Sequence, residues 1–316
     1  MVTELKSNID IEVYLGQQKS LIDKYLKKIF IESNNYIEPK ELWDAIRYSL
    51  LDGGKRIRSI LCLASYETVS PDKTHLDDCL TACASIELIH AMSLIHDDLP
   101  SMDNDDLRRG RPSCHKAYGE ATAILAGDAM LSLAFELIVE NTKTISDSQK
   151  LKLISVLSKA FGLGLVPGQI LDLKTSATQR SKSKIEEISR LKTAELIKAS
   201  VLCGVIIGLN NNKSITEKAL NETIIKSFER FGINIGIAFQ IIDDILDVTS
   251  DTKTLGKTSG KDRDQDKSTY PLIMGIEKSK KMTEDLIKKA KSDLAETPFN
   301  ISLLCSISDF VINRIN

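Results

Sequence analysis

Two groups of aspartates hold the residues best suited to chemistry in this chain. The first lies in "SLIHDDLPSMDNDDLRRGR", Ser93 to Arg111, where Asp97, Asp98, Asp103, Asp105 and Asp106 are followed by Arg108, Arg109 and Arg111. The second is "IIDDILD", with Asp243, Asp244 and Asp247. On a helix, Asp243 and Asp247 at i, i+4 share one face within ~6 Å, and Asp244 lies about 100° away. Carboxylates that close repel, weakly on an exposed helix and strongly on an apolar one unless a cation sits between them. All-oxygen donors suit Mg²⁺, which keeps waters and takes one or two carboxylates plus phosphate oxygens. The pattern points to a shared metal and phosphate site.

The first cluster has a different geometry. Asp103 follows Asp97 by i+6, which a regular helix would throw ~240° round the axis. Pro100 disfavours helical geometry at Leu99 and removes a backbone donor, so a distorted turn can bring Asp103 back. For either cluster alone, a solvated acidic helix end is an equal alternative; two such clusters favour the metal site. A calcium loop is excluded, because "DNDDLRRGRPSC" has Arg108 where that loop needs glycine.

A polyphosphate needs further cations, and these lie beside the acids. Arg108 and Arg109 offer two guanidinium forks, suited to two phosphates or else to ion pairs with Asp105 and Asp106. Lys55, Arg56 and Arg58 open a helix just after Gly53 and Gly54, where free N-terminal amides add to the charge. His90 precedes Asp97 by two helical turns, ~10.5 Å, on the same face. His96 reads as structural. Lys257 and Lys267 flank a glycine-containing loop; its "GKT" lacks the upstream glycine of a P-loop, where Asp251 stands instead, and a lid over phosphates is the better reading.

These residues must be carried by helices. Apolar residues recur with a 3.6-residue period in segments near 72–98, 119–142, 148–174, 185–209, 216–250, 270–295 and 300–314, with no long linker between them. Only 5% of residues are aromatic, and glycine and proline are few, which favours aliphatic helices over short strands. One all-α domain over 1–316 is expected. "DCLTACASIELIHAMSLIHDD" and "ERFGINIGIAFQIIDDILDV" are apolar almost all round, as buried central helices are, and each ends in an aspartate pair.

The formal charge of −2 gives no global field for nucleic acid or anionic lipid. The first residues lack the form of a signal or transit peptide, and no apolar run is expected to reach the ~20 residues of a membrane span. Six scattered cysteines read as reduced core thiols. A cytoplasmic protein without an integral membrane segment follows as an expectation.

Taken together, "GGKRIR", "LIHDDLPSMDNDDLRRGR", "LKTAEL", "FQIIDDILD" and "GKDRDQDKSTYP" resemble, in order, the all-trans short-chain prenyl diphosphate synthases of the bacterial farnesyl and geranylgeranyl type. The resemblance spans about Gly53 to Pro271, with "FVINR" near the C-terminus also similar. It implies an all-α fold of ten or more helices around a deep central cavity, usually as a homodimer. It implies Asp97, Asp103 and Asp243 as principal ligands of three Mg²⁺ ions, assisted by Asp98, Asp244 and Asp247. Arg108, Lys192 and Lys257 would clamp an allylic diphosphate, while Lys55, Arg58, His90 and Arg109 would hold isopentenyl diphosphate. Thr193, Phe239 and Gln240 would line the reacting carbons, and Lys267 would serve the phosphate side of the loop. One departure is Ser59, where the family commonly has proline after "GGKRIR".

Product length should depend on residues below Asp97. Met92 and Ser93 resemble the methionine-serine pair of many geranylgeranyl enzymes, whereas farnesyl enzymes of this type tend to an aromatic-serine pair. "DDLPSMDNDD", "ATAILAGDAML" and "DKSTYPLIMG" look more like bacterial farnesyl synthases. The sequence leans slightly to C15, with C20 as the alternative. From another class, a helical metal phosphohydrolase competes through the His-Asp pair of "LIHDD", although it has no need of the second cluster.

Overall fold

The computed structural model describes residues 10–32, 38–51, 53–175, 181–209, 218–249 and 269–312, over 218–221 the backbone alone. The helices are α1 (Ile11–Lys27), α2 (Lys40–Leu50), α3 (Ile57–Val69), α4 (Leu76–Asp97), α5 (Cys114–Tyr118), α6 (Glu120–Asn141), α7 (Asp147–Lys159), α8 (Val166–Lys174), α9 (Lys182–Ser189), α10 (Glu195–Leu209), α11 (Lys218–Thr249), α12 (Tyr270–Met274), α13 (Ile276–Ala295) and α14 (Ser302–Ile312). Wider π turns extend α1 over Lys28–Glu32, join α7 to α8 over Ala160–Leu165, and join α9 to α10 over Arg190–Ala194. The expected helices are all present, most of their ends within ~4 residues. The segment expected at 270–295 is divided at Gly275, whose φ of 83° breaks the helix between α12 and α13.

The fold is all-α. Among the described residues, strand structure is confined to a hairpin of β1 (Leu107–Arg108) and β2 (Arg111–Pro112), antiparallel, with Leu107 opposite Pro112 and Arg108 opposite Arg111. Its two turn residues, Arg109 and Gly110, both have positive φ (54° and 77°), as a tight hairpin turn of this handedness requires.

Helix α4 runs through the interior, flanked by α3 and α6, and α10 packs on α3 and α11. The contact of α10 with α3 depends on the absence of a side chain at Gly204, where a Cβ would lie 2.0 Å from the Cys62 carbonyl oxygen. All six cysteines are free, five of them buried, in keeping with core thiols.

One expectation needs correction. Three helical stretches, Leu76–Asp97, Glu120–Asn141 and Asp147–Lys174, are long and apolar enough by length and composition to cross a membrane. The small polar residues scattered along them hid this in a search for unbroken apolar runs. Of the most apolar part of α4, 83% is buried inside the protein, so its composition is that of a core helix. The other two are 39% buried, and their outer faces expose Leu125, Val139, Leu151 and Leu163.

Candidate active site

The aspartates end α4, and the chain beyond Asp97 folds back on them. Amides of Leu99 and Met102 donate to the carbonyls of His96 and Leu99 at 3.2 and 2.9 Å, closing tight turns around Pro100. The Asp103 amide then donates to the Asp97 carbonyl at 2.8 Å and the Asp105 amide to that of Asp98 at 3.1 Å. Asp103 therefore returns to Asp97, as Pro100 led us to expect. Burial, above all, pushes the Asp97 carboxyl up to about 6; Lys192 pulls it down, while Asp103 and Asp98 add to the rise. A carboxylate that is hard to ionise alone is a site that gains from a cation.

The paired arginines take different directions because one lies in a strand and the other in a turn. Arg108 Nε donates to both oxygens of Asp98 at 3.1 Å, and its Nη2 donates to Asp98 and, at 3.3 Å, to Asp105. Asp98 is 2% exposed and is engaged here as the counter-ion of Arg108. Arg109 instead reaches back to the glycine turn, its Nη1 donating to the Gly53 carbonyl at 3.0 Å.

The second cluster lies at the end of α11. Asp243 and Asp247 are half-buried and Asp244 is buried. Asp244 accepts from Gln240 Nε2 at 2.8 Å through one oxygen and from the Tyr270 amide at 3.0 Å through the other, so it ties α12 to α11. Gln240 in turn accepts from Thr193 Oγ1 at 2.7 Å, and Phe239 is half-buried beside this group. Close approach makes this pairing possible, since a Cβ at Gly236 would fall 2.4 Å from Ala194 Cα. Lys192, on the same π turn as Thr193, ion-pairs with Asp172 of α8 at 2.7 Å. Burial disfavours the Lys192 ammonium, but Asp172, Asp97 and Asp103 outweigh it and hold it charged. Lys192 thus faces the first cluster while touching α8.

A third group is cationic. Helix α3 starts at Ile57, later than its cations suggested, with Arg56 left-handed at φ 53° as its cap. Lys55 is exposed at the mouth of the turn. Arg58 Nη1 lies 3.4 Å from His90 Nε2, and Arg58 Nε is shut off from solvent with no hydrogen-bond partner among the described residues. Burial, then Arg58, Arg109 and Arg108, hold His90 far below its usual range, so it is neutral. Burial lowers Arg58 as well, Glu87 and Asp243 opposing this and Arg109 adding to it. Half-buried arginines that repel one another, beside a neutral histidine and with one unused buried donor, make a site for an anion of high charge.

Asp97, Asp103, Asp243 and Asp247 each offer oxygen donors of the kind that suits Mg²⁺, which takes one or two carboxylates together with phosphate oxygens. Met92 and Ser93 are buried on α4 below Asp97. Lys257 and Lys267 lie outside the described residues. Asp172, Glu87 and Gln169 were not anticipated. Gln169, one turn before Asp172, is buried with neither amide atom partnered among the described residues. The sequence "GQILDL" offered only a weak signal, a carboxylate one turn beyond a glutamine on an otherwise apolar helix segment.

The rival hydrolase loses its metal ligands here. His96 lies 3.2 Å, through Nε2, from the Ile124 carbonyl, and its ring fills the space that a Cβ at Gly127 would take, 2.1 Å away. His90 stands among arginines, where a metal cation would be repelled.

The model of the polyprenyl synthetase family matches residues 39–302. A geranylgeranyl diphosphate synthase of Cyanophora paradoxa is 41% identical over 99% of both chains. A farnesyl diphosphate synthase of Haemophilus influenzae is 43% identical over 95% of this chain and 97% of its own. Among solved structures, a geranyltransferase of Helicobacter pylori complexed with magnesium and isoprenyl diphosphate superposes with a TM-score of 0.79, at 30% identity, over 96% of this chain and 97% of that one. The chain belongs to the polyprenyl synthetase family and is a prenyltransferase.

Proposed function

We propose that the protein condenses isopentenyl diphosphate head to tail with allylic diphosphates in the presence of Mg²⁺, ending at the C20 product geranylgeranyl diphosphate. The arrangement that supports the reaction is Lys192 acting on Asp97 and Asp103 of the first cluster, and Arg58, beside His90, acting on Asp243 of the second. Asp97, Asp103, Asp243 and Asp247 would hold the metal, assisted by Asp98 and Asp244 once their present partners are shared. Mg²⁺, which the named Helicobacter pylori complex contains, supplies Lewis-acid stabilisation of the leaving diphosphate; three ions are the expected number.

Lys192 and Arg108 would bind the allylic diphosphate, fixing the leaving group and neutralising the charge that develops on it. Lys55, Arg58, His90 and Arg109 would hold isopentenyl diphosphate so that its double bond faces the allylic carbon. The allylic C–O bond breaks, the alkene forms the new C–C bond, and one proton leaves for the departing diphosphate. Thr193, Gln240 and Phe239 border the reacting carbons, and the apolar wall of α4 excludes water from the cation.

Met92 supports the C20 reading over the C15 product to which the loop motifs lean. It is 2% exposed, just below the first cluster, and a flexible thioether in that position yields to a growing chain more readily than an aromatic ring. The farnesyl-like motifs and the 43% identity to a farnesyl synthase favour C15 as a second reading. Incubating the purified protein with dimethylallyl and isopentenyl diphosphates and identifying the chain length tests both. A C15 end product would overturn the C20 proposal, and a failure to condense at all would overturn the function. The exposed apolar faces of α6 and α7 support a homodimer.

A further inference from the structure

Arg56 lies between two cations expected to bind phosphate, yet its side chain is 2% exposed and turned inward. Its Nη1 donates to Glu87 Oε2 at 2.8 Å, its Nε to Asp23 Oδ1 at 2.9 Å, and its Nη2 to the Leu50 carbonyl at 2.8 Å. Three acceptors on α1, the end of α2 and α4 are thus joined through one guanidinium. Its backbone holds the left-handed conformation at φ 53°, unfavourable for a residue with a Cβ and kept only where the surroundings over-determine it. Glu87 is 3% exposed, and its second oxygen accepts from Ser59 Oγ at 2.7 Å. Ser59 is the residue where proline would be usual, so this chain adds a hydrogen bond that proline has no group to make.

The connections lead to the anion pocket. Glu87 lies one turn before His90 on α4, and Arg58 follows Arg56 by two residues and approaches His90. Arg109 is fixed to Gly53, at the start of the same turn. Glu87 also acts electrostatically on Arg58 and Arg109, a buried counter-charge among cations that repel one another.

We propose that the Arg56–Glu87 pair, completed by Ser59, is the positioning device of the isopentenyl diphosphate pocket: it lashes the Gly53–Arg58 turn to α4 and so sets the spacing of Lys55, Arg58, His90 and Arg109. Arg56 and Glu87 touch no substrate in this account. The inference rests on the assignment of that pocket made above.

The test is steady-state kinetics on the full chain with Mg²⁺, varying isopentenyl and dimethylallyl diphosphates independently, alongside thermal unfolding. Glu87→Gln keeps the shape of the side chain and removes its charge. It should raise KM for isopentenyl diphosphate at least tenfold, leaving KM for the allylic substrate and kcat within about threefold. Ser59→Ala should raise the same KM by a smaller factor, roughly threefold. The double variant Arg56→Met with Glu87→Met replaces the buried pair by apolar groups, which often restores stability. It should recover much of the thermal midpoint of the single variants while KM for isopentenyl diphosphate stays at least tenfold raised. A merely structural pair would let KM recover with the midpoint. That result, or an unchanged KM in Glu87→Gln, overturns the positioning role. Failure of the pocket assignment shows separately: Arg58→Ala would then leave KM for isopentenyl diphosphate untouched in a protein that still condenses its substrates.

Discussion

The Asp103 amide donates to the Asp97 carbonyl at 2.8 Å across a turn that contains Pro100, so residues six apart in sequence are brought back beside each other. In a continuing helix they would diverge, and no ion could bridge them. The two aspartates should therefore be needed together. Asp103→Asn is expected to lower kcat by roughly 10²–10³-fold, as loss of one charge-stabilising group does. Asp97→Asn should do the same, and the double variant little more, because the residues act as one unit. Turnover at saturating Mg²⁺ measures this, and additive losses would contradict a shared site.

The raised carboxyl of Asp97 makes the metal-free protein sensitive to pH. Its ordinary value of 3.8 is pushed up to about 6 in the folded chain. The folded state therefore holds this proton more tightly than the unfolded one. The stability it contributes is full below about pH 4 and is lost as pH rises through 6. Two pK units correspond to about 3 kcal/mol at most, reduced by solvent at the partly exposed edge of the site. With Mg²⁺ chelated, the thermal midpoint should fall between pH 5 and pH 7.5 more steeply in the native protein than in Asp97→Asn. Mg²⁺ should restore most at the higher pH, where the carboxylate is ionised.

Gly54 gives a test of the cationic pocket from the backbone. Its φ is 97°, and a Cβ there would lie 3.1 to 3.3 Å from the Arg109 guanidinium atoms. Gly54→Ala adds a conformational cost of about 1–2 kcal/mol and pushes Arg109 from its place. The expected result is a loss of stability of that order together with a rise of about tenfold in KM for isopentenyl diphosphate. A stability loss with KM unchanged would remove Arg109 from the pocket.

Much of this was legible from sequence because the signals were local. The helices follow from a 3.6-residue apolar period, and the return of Asp103 follows from Pro100. The i, i+4 spacing placed Asp243 and Asp247 on one face. Hidden from sequence were relations that need the packed fold. Arg56 reads as one more phosphate cation, and nothing near it in sequence says that Glu87 and Asp23, 31 and 33 residues away, take its guanidinium. Asp98 and Asp244 read as ligands, yet their oxygens are met by Arg108 and by Gln240 with the Tyr270 amide. Asp172 escaped notice because its partner Lys192 is 20 residues on, brought close by the approach of α8 at Gly168.

Met92 offers the most direct test of what the protein makes. It is buried on α4 five residues before Asp97, about 7.5 Å along the helix from the point where the diphosphate would be held. A chain lengthened by five carbons must pass this level. The methionine side chain has three rotatable bonds and bends aside at little cost, whereas a phenylalanine ring is rigid and fills the same space permanently. Met92→Phe is therefore expected to shift the end product from C20 toward C15, with the first condensation slowed less than about threefold. Chain-length analysis of products at equal conversion measures the shift. If the native protein releases C20 and Met92→Phe releases C20 in the same proportion, the floor of the pocket is set elsewhere, and Ser93, one position nearer the aspartates, is the next residue to substitute.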